Sequence, residues 1–261
     1  MSWTPGTKIE VRIVTEDSSA DAHDTIAHLL RRMTQLVEPS FATNRLATLR
    51  QVDPKERLAA QPHRWGSGDS KDRLHVKMLA RTIAADLVAR RFVLVHADGD
   101  TLWSKRPGRH VASFQNHLTP VVRQALIPDR AEPRRPGRAQ PAVEPRPEEE
   151  IERCLAHLIL IMPYYTIEAW LYQNTEVAVR LCREKYQGRD IEKLLRWQQE
   201  RARLDDKEKE DLQICLGKEH NLELASSSYP AQAAFDAGAS FHAAVEAVRA
   251  CAELRAALAA P

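Results

Sequence analysis

Two aspartates separated by one glycine end an apolar run, Phe92-Val93-Leu94-Val95-His96-Ala97-Asp98-Gly99-Asp100. Carboxylates this close in sequence repel each other unless water, a cation or a basic group screens them. Asp-Gly is also a common turn pair, so the segment alone reads as a solvated turn. Further carboxylates recur in the same setting. Glu16 and Asp17 follow the alternating run Lys8 to Val14, and Glu168 comes shortly after Leu158-Ile159-Leu160-Ile161-Met162. Several carboxylates without a matching cluster of bases suit a hard divalent cation, because Mg²⁺ and Mn²⁺ prefer oxygen ligands. Two such ions roughly 3.5–4 Å apart activate a water and stabilise the leaving oxygen in phosphodiester cleavage.

The elements that must position these residues follow from periodicity. Lys8 to Val14 alternates polar and apolar residues as a first strand does. The polar stretch Thr15 to Ser19 leads into an amphipathic helix from Ala20 to Val37, with Ile26, Leu29, Leu30, Met33, Leu36 and Val37 on one face. Arg45 to Val52 predicts a short second strand, and Gly66 to Ser70 a loop. A helix is expected from Arg73 to Arg90, burying Leu74, Met78, Ile83, Leu87 and Val88. Phe92 to Val95 predicts a strand buried on both faces. His110 to Leu126 predicts a helix kinked at Pro120. Leu155 to Met162 predicts another strand, and Tyr164 to Lys185 one continuous helix carrying Glu168 and a core Trp170. Strands alternating with helices imply an α/β fold: a largely parallel sheet flanked by helices, with a helical C-terminal region. In such sheets sites form beyond the carboxyl ends of the strands, which would gather these carboxylates on one edge.

The organisation expected is an α/β domain over 1–188 and a helical region over 189–261. The first contains a proline- and arginine-rich insertion at 128–149, read as a flexible solvated loop ahead of a basic arm for nucleic acid (Arg130, Arg134, Arg135, Arg138). The net charge of +2, from 38 basic and 36 acidic residues, does not by itself announce a polyanion partner. Cys154, Cys182, Cys215 and Cys251 are too widely spaced for a zinc motif. No signal pattern and no run near the ~20 apolar residues of a membrane span occur. The expectation is therefore a soluble cytoplasmic protein with reduced thiols and no membrane partner. No Gly-x-x-x-x-Gly-Lys-[Ser/Thr] loop and no Gly-x-Ser-x-Gly elbow is present.

Two of these segments match a known pattern. Ile13-Val14-Thr15-Glu16 at a strand end, then Asp98-Gly99-Asp100 after a later strand, resemble the Toprim domain of topoisomerases, primases, recombination proteins and OLD-type nucleases. Asp17 stands where that family has a glycine. IMPYYTIEAWLY resembles the Glu-Ala-Trp segment of small stand-alone Toprim-like proteins of bacterial anti-phage defence. The resemblance spans roughly residues 8 to 172. It implies a Toprim-like fold and a nuclease using Mg²⁺ (or Mn²⁺), with Glu16 as general acid/base or ligand. Asp98 and Asp100 would bind metal, with Glu168 as a further acidic ligand. A cation is also needed at the scissile phosphate, and Lys105, Arg106 and Lys218 are candidates. The implied partners are a nucleic-acid substrate, DNA or RNA including tRNA, and a separate ATPase or sensor subunit; a homo-oligomer is left open. The competing expectations are a non-catalytic Toprim-like interaction subunit that binds an ATPase through its alanine-rich helices, and another phosphoryl-transfer enzyme on the same acidic edge.

Overall fold

A computed structural model of the chain describes residues 7–16, 19–50, 53–100, 109–127, 145–208 and 210–260. Asp17, Lys105, Arg106 and the arginines of 128–144 lie outside these residues. The elements run β1 (Ile9–Thr15), α1 (Ala20–Val37), β2 (Leu46–Arg50), α2 (Pro54–Ala59), α3 (Pro62–Trp65), α4 (Ser70–Val88) and β3 (Phe92–His96). Then come α5 (Arg109–Ser113), a π-helical turn (Phe114–Leu118), α6 (Thr119–Leu126), α7 (Glu148–Leu155), β4 (Leu158–Ile161), α8 (Glu168–Leu171) and α9 (Thr175–Tyr186). The C-terminal third adds α10 (Ile191–Gln199), α11 (Asn221–Ser226), α12 (Ala231–Asp236), α13 (Ala239–Ala250) and α14 (Ala252–Ala259).

The fold is α/β, with a four-stranded, all-parallel sheet in the order β2-β1-β3-β4. The chain moves from β1 to β2 on one side, then returns to β3 and β4 on the other. The switch point therefore lies between β1 and β3, where Val11 to Thr15 pair with Phe92 to His96. Every residue of β3 is buried. Phe92 and Leu94 join Ile9, Val11 and Ile13 in a core with Ile26, Leu30 and Met33 of α1. Val93 and Val95 join Val14 in a second core with Leu79, Ile83 and Leu87 of α4 and with Val122 of α6. Alternate residues thus feed opposite faces, as a covered parallel strand requires. Ser19 Oγ accepts the Ala22 N–H at 3.0 Å to start α1, and Asp69 accepts from Lys71 and Asp72 at 2.8 and 3.0 Å to start α4. Caps of this kind are each worth ~1 kcal/mol.

Several expectations are corrected. Within α4, Leu74 is 57% and Val88 43% exposed. Ile83 and Leu87 are buried as expected, and the rest of the buried face is carried by His75, Val76, Leu79, Ala80 and Ala84. Leu79, Ile83 and Leu87 pack against the sheet with Ala80 and Ala84, whereas Leu74 and Val88, near the helix ends, fall outside that face. The helix expected over Tyr164 to Lys185 is broken into α8 and α9. The break comes at Asn174, whose Nδ2 donates to Leu224 O and Ser227 O at 2.8 and 2.6 Å. Helix α7 begins at Glu148, inside the proposed insertion, and absorbs Leu155 from the expected strand. The helix expected over His110 to Leu126 is divided by the π-helical turn, and Pro120, which has no N–H to donate, sits in the first turn of α6. The thiols are not all reduced: Cys182 and Cys215 form a disulfide, while Cys154 and Cys251 are free and buried. Thirty-three residues apart in sequence, the two cysteines meet only once α9 and the following segments have packed.

The core does not divide at residue 188. Ala244, Val245, Val248 and Leu258 of α13 and α14 share one apolar cluster with the strands and α1. Among the described residues no helix is long and apolar enough to cross a membrane.

Candidate functional site: an acidic cavity over the switch point

A cavity of about 440 Å³ opens at the carboxyl edge of β1 and β3. Its walls include Thr15 at the end of β1 and Glu16 after it, the α1 cap Ser19 and Thr25 of α1, His96 at the end of β3 and Asp98 after it, and Thr166 to Glu168 after β4. Lys218, Glu219 and Asn221 close it from the C-terminal third. The place is the one a doubly wound sheet leaves open, because the loops on either side of the switch point diverge in opposite directions.

The acidic side chains are held by one another's backbone. The Asp98 N–H donates to Glu16 Oε1 at 2.8 Å, tying the end of β3 to the end of β1. Asp98 Oδ1 accepts from the Ile167 N–H at 2.9 Å, and Oδ2 accepts from Thr166 Oγ1 at 3.1 Å. Thr166 Oγ1 is also in hydrogen-bond contact with Glu168 Oε2, and Asn221 Nδ2 donates to Glu168 Oε1 at 3.4 Å. One threonine hydroxyl has one proton, so it can donate to Asp98 or to Glu168 but not to both. His110 Nδ1 donates to the Asp98 carbonyl at 2.9 Å, bracing the turn from the other side. His96, buried, bonds Thr15 Oγ1 through Nδ1 at 3.2 Å, and its Nε2 lies 4.0 Å from Asp98 Oδ1.

Gly99 explains the Asp-Gly-Asp sequence. A Cβ there would sit 2.0 Å from Tyr164 O and 2.6 Å from Pro163 O. The glycine is therefore required for the turn after β3 to touch the loop after β4. Asp100 then adopts a left-handed conformation (φ 49°), and its N–H donates to Tyr165 O at 3.0 Å. That backbone anchor leaves Asp100 exposed and outside the cavity wall. The structure thus brings Glu16, Asp98, Glu168 and Lys218 to one cavity and does not bring Asp100 there.

Burial pushes the Asp98 carboxyl well above the usual carboxylate range, and the nearby charges of Glu16 and Glu168 push it further. The bonds from Thr166 and Ile167 act in the opposite direction and only partly offset this. A divalent cation between these carboxylates would remove the penalty. The carboxylates offer oxygen, which suits Mg²⁺ or Mn²⁺, and His96 adds an imidazole nitrogen at the same wall. Among the described residues, no three His, Cys, Asp or Glu side chains are drawn into a closed ligand set.

Thr15, Thr166, Glu219 and Asn221 were not legible as site residues. Threonine and asparagine carry no motif of their own here, and Glu219 and Asn221 come from a segment more than a hundred residues after Asp98. Trp170, read as core, is fully buried, and its Nε1–H donates to Ser240 Oγ at 2.6 Å. No family model matches the sequence, and neither a curated protein nor a solved structure does.

Proposed function

We propose that this protein is a nuclease that cleaves phosphodiester bonds in DNA or RNA with the help of Mg²⁺ or Mn²⁺, as an effector of anti-phage defence. The observation that carries the chemistry is the convergence of Glu16, Asp98 and Glu168 with Lys218 on one cavity over the switch point. The Toprim-like order of the same acidic motifs supports the defence role. Asp98 and Glu168 are the residues to hold the cation. Once bound, it would lower the pKa of a water and neutralise charge on the phosphate. Glu16 is oriented through Oε1 by the Asp98 N–H, and its carboxylate accepts the proton of the attacking water. Lys218 supplies positive charge to a non-bridging phosphate oxygen. Asn221 and Thr166 keep Glu168 from swinging away.

The test is incubation of purified protein with plasmid DNA and with total tRNA, in Mg²⁺, Mn²⁺ and EDTA. Asp98→Asn and Glu168→Gln are expected to slow metal-dependent cleavage about 10²–10⁴-fold. Undiminished cleavage in both variants would refute the site. The second reading, a non-catalytic subunit that binds a separate ATPase, is favoured by the lack of a closed ligand set and by the position of Asp100. It expects partner binding that Asp98→Asn leaves intact, with no cleavage in any metal.

A further inference from the structure

Outside the cavity, the solvent-facing side of α4 carries a row of cations. Arg73, Lys77 and Arg81 are all exposed and stand four residues apart, so they form one row along the outer face of the helix. Successive cations in such a row lie about 6 Å apart along the axis. None of the three forms an ion pair among the described residues. The acids of α4 itself are engaged elsewhere: Asp72 pairs with Arg64, and buried Asp86 pairs with Arg12 and Arg91. Asp69, one turn before Arg73, is the helix cap; it feels the Arg73 charge but forms no ion pair with it. On a chain whose total charge is only +2, this is a local surplus of cations rather than a reflection of the whole surface.

The row also has a direction. Only Ala89 to Arg91 separate α4 from β3, so α4 runs antiparallel to the strands. Its first turn, with Arg73, lies toward the carboxyl edge of the sheet, on the face opposite the one covered by α1, whose residues line the cavity, and Lys77 and Arg81 lead away from that edge. We infer that the outer face of α4 is a track for the phosphate backbone of a nucleic acid strand whose scissile bond is presented at that edge. This rests on the nuclease reading. Regularly spaced cations that form no ion pair complement a polyphosphate, and they hold it without reading its sequence.

The experiment measures fluorescence anisotropy of a labelled single-stranded oligonucleotide over a salt series in EDTA, where no cleavage occurs. Wild type is compared with Arg73→Gln/Lys77→Gln/Arg81→Gln and with a charge-matched control, Arg183→Gln/Lys185→Gln/Arg189→Gln. The α4 variant is expected to bind about tenfold more weakly near 0.1 M salt, with the log–log salt slope reduced by about 2. The control is expected to stay close to wild type. An unchanged slope in the α4 variant, an equal loss in the control, or no binding by wild type would each overturn the track. Hydrolysis of bis-p-nitrophenyl phosphate in Mn²⁺, which needs no track, reports on the cavity separately. Its retention in the α4 variant is expected, and its absence in wild type would count against the catalytic reading alone.

Discussion

Asp98 concentrates the electrostatic cost of the site. Its carboxyl is raised by burial first and by Glu16 and Glu168 second. A carboxyl raised in the folded state holds its proton more tightly there than in the unfolded chain. Its contribution to stability is therefore complete below the unfolded carboxyl range and is lost as pH rises through the raised folded value. Asp98→Asn, which cannot ionise, is expected to melt higher than wild type at pH 7 in EDTA, with the gain shrinking toward pH 4. Thermal melts across that range check it, and a gain that grows toward low pH would refute the assignment. Adding Mg²⁺ should raise the wild-type melting temperature at pH 7 and leave Asp98→Asn nearly unmoved. Thr166 is the other residue to probe at this scale. Thr166→Val removes the hydroxyl shared by Asp98 and Glu168 and is expected to lower kcat while the fold persists.

At the level of elements, the site depends on two loops touching. Gly99 lets the turn after β3 lie against the backbone of Pro163 and Tyr164. Gly99→Ala is expected to push those loops apart, break the Ile167–Asp98 bond and abolish cleavage. A variant of unchanged activity would show that the contact is dispensable. Helix α8 has only four residues and holds Glu168 in place through its neighbours. Trp170 is its anchor, bonded to Ser240, which in turn donates to Asp205 Oδ1 at 2.6 Å. Tyr229 OH donates to the Trp170 carbonyl at 3.0 Å. Trp170→Ala is expected to cost about 3–5 kcal/mol in urea unfolding, since it empties a large core position and removes the indole donor from Ser240 Oγ.

Over the whole molecule, the C-terminal third is a wall of the site rather than an appendage. Cys215 is bonded to Cys182 of α9, and Tyr186 OH meets His220 Nε2 at 2.8 Å. These contacts fasten the segment that carries Lys218 and Asn221 into the cavity. Reduction with a dithiol is expected to lower stability by about 2–4 kcal/mol. It should also speed amide exchange over 212–221, read by mass spectrometry. Exchange that stays the same after reduction would show that the other contacts suffice.

Much of this molecule is written locally. The strand ends before Glu16 and Asp98, the span of α1 and the parallel α/β class follow from runs of apolar residues whose period is 2 or 3.6, and such runs depend only on near neighbours in the chain. The candidate acids Glu16, Asp98 and Glu168 were legible because each follows such a run. Contacts between distant segments were not. Asp100 leaves the cavity because of a backbone bond to Tyr165, and Lys218, Asn221 and the Cys182–Cys215 bond join only through packing of helices far apart in sequence. Within α4, Ile83 and Leu87 were legible as core from their spacing, whereas the exposure of Leu74 and Val88 was settled only by tertiary burial, because periodicity does not say where the covered stretch of a helix ends.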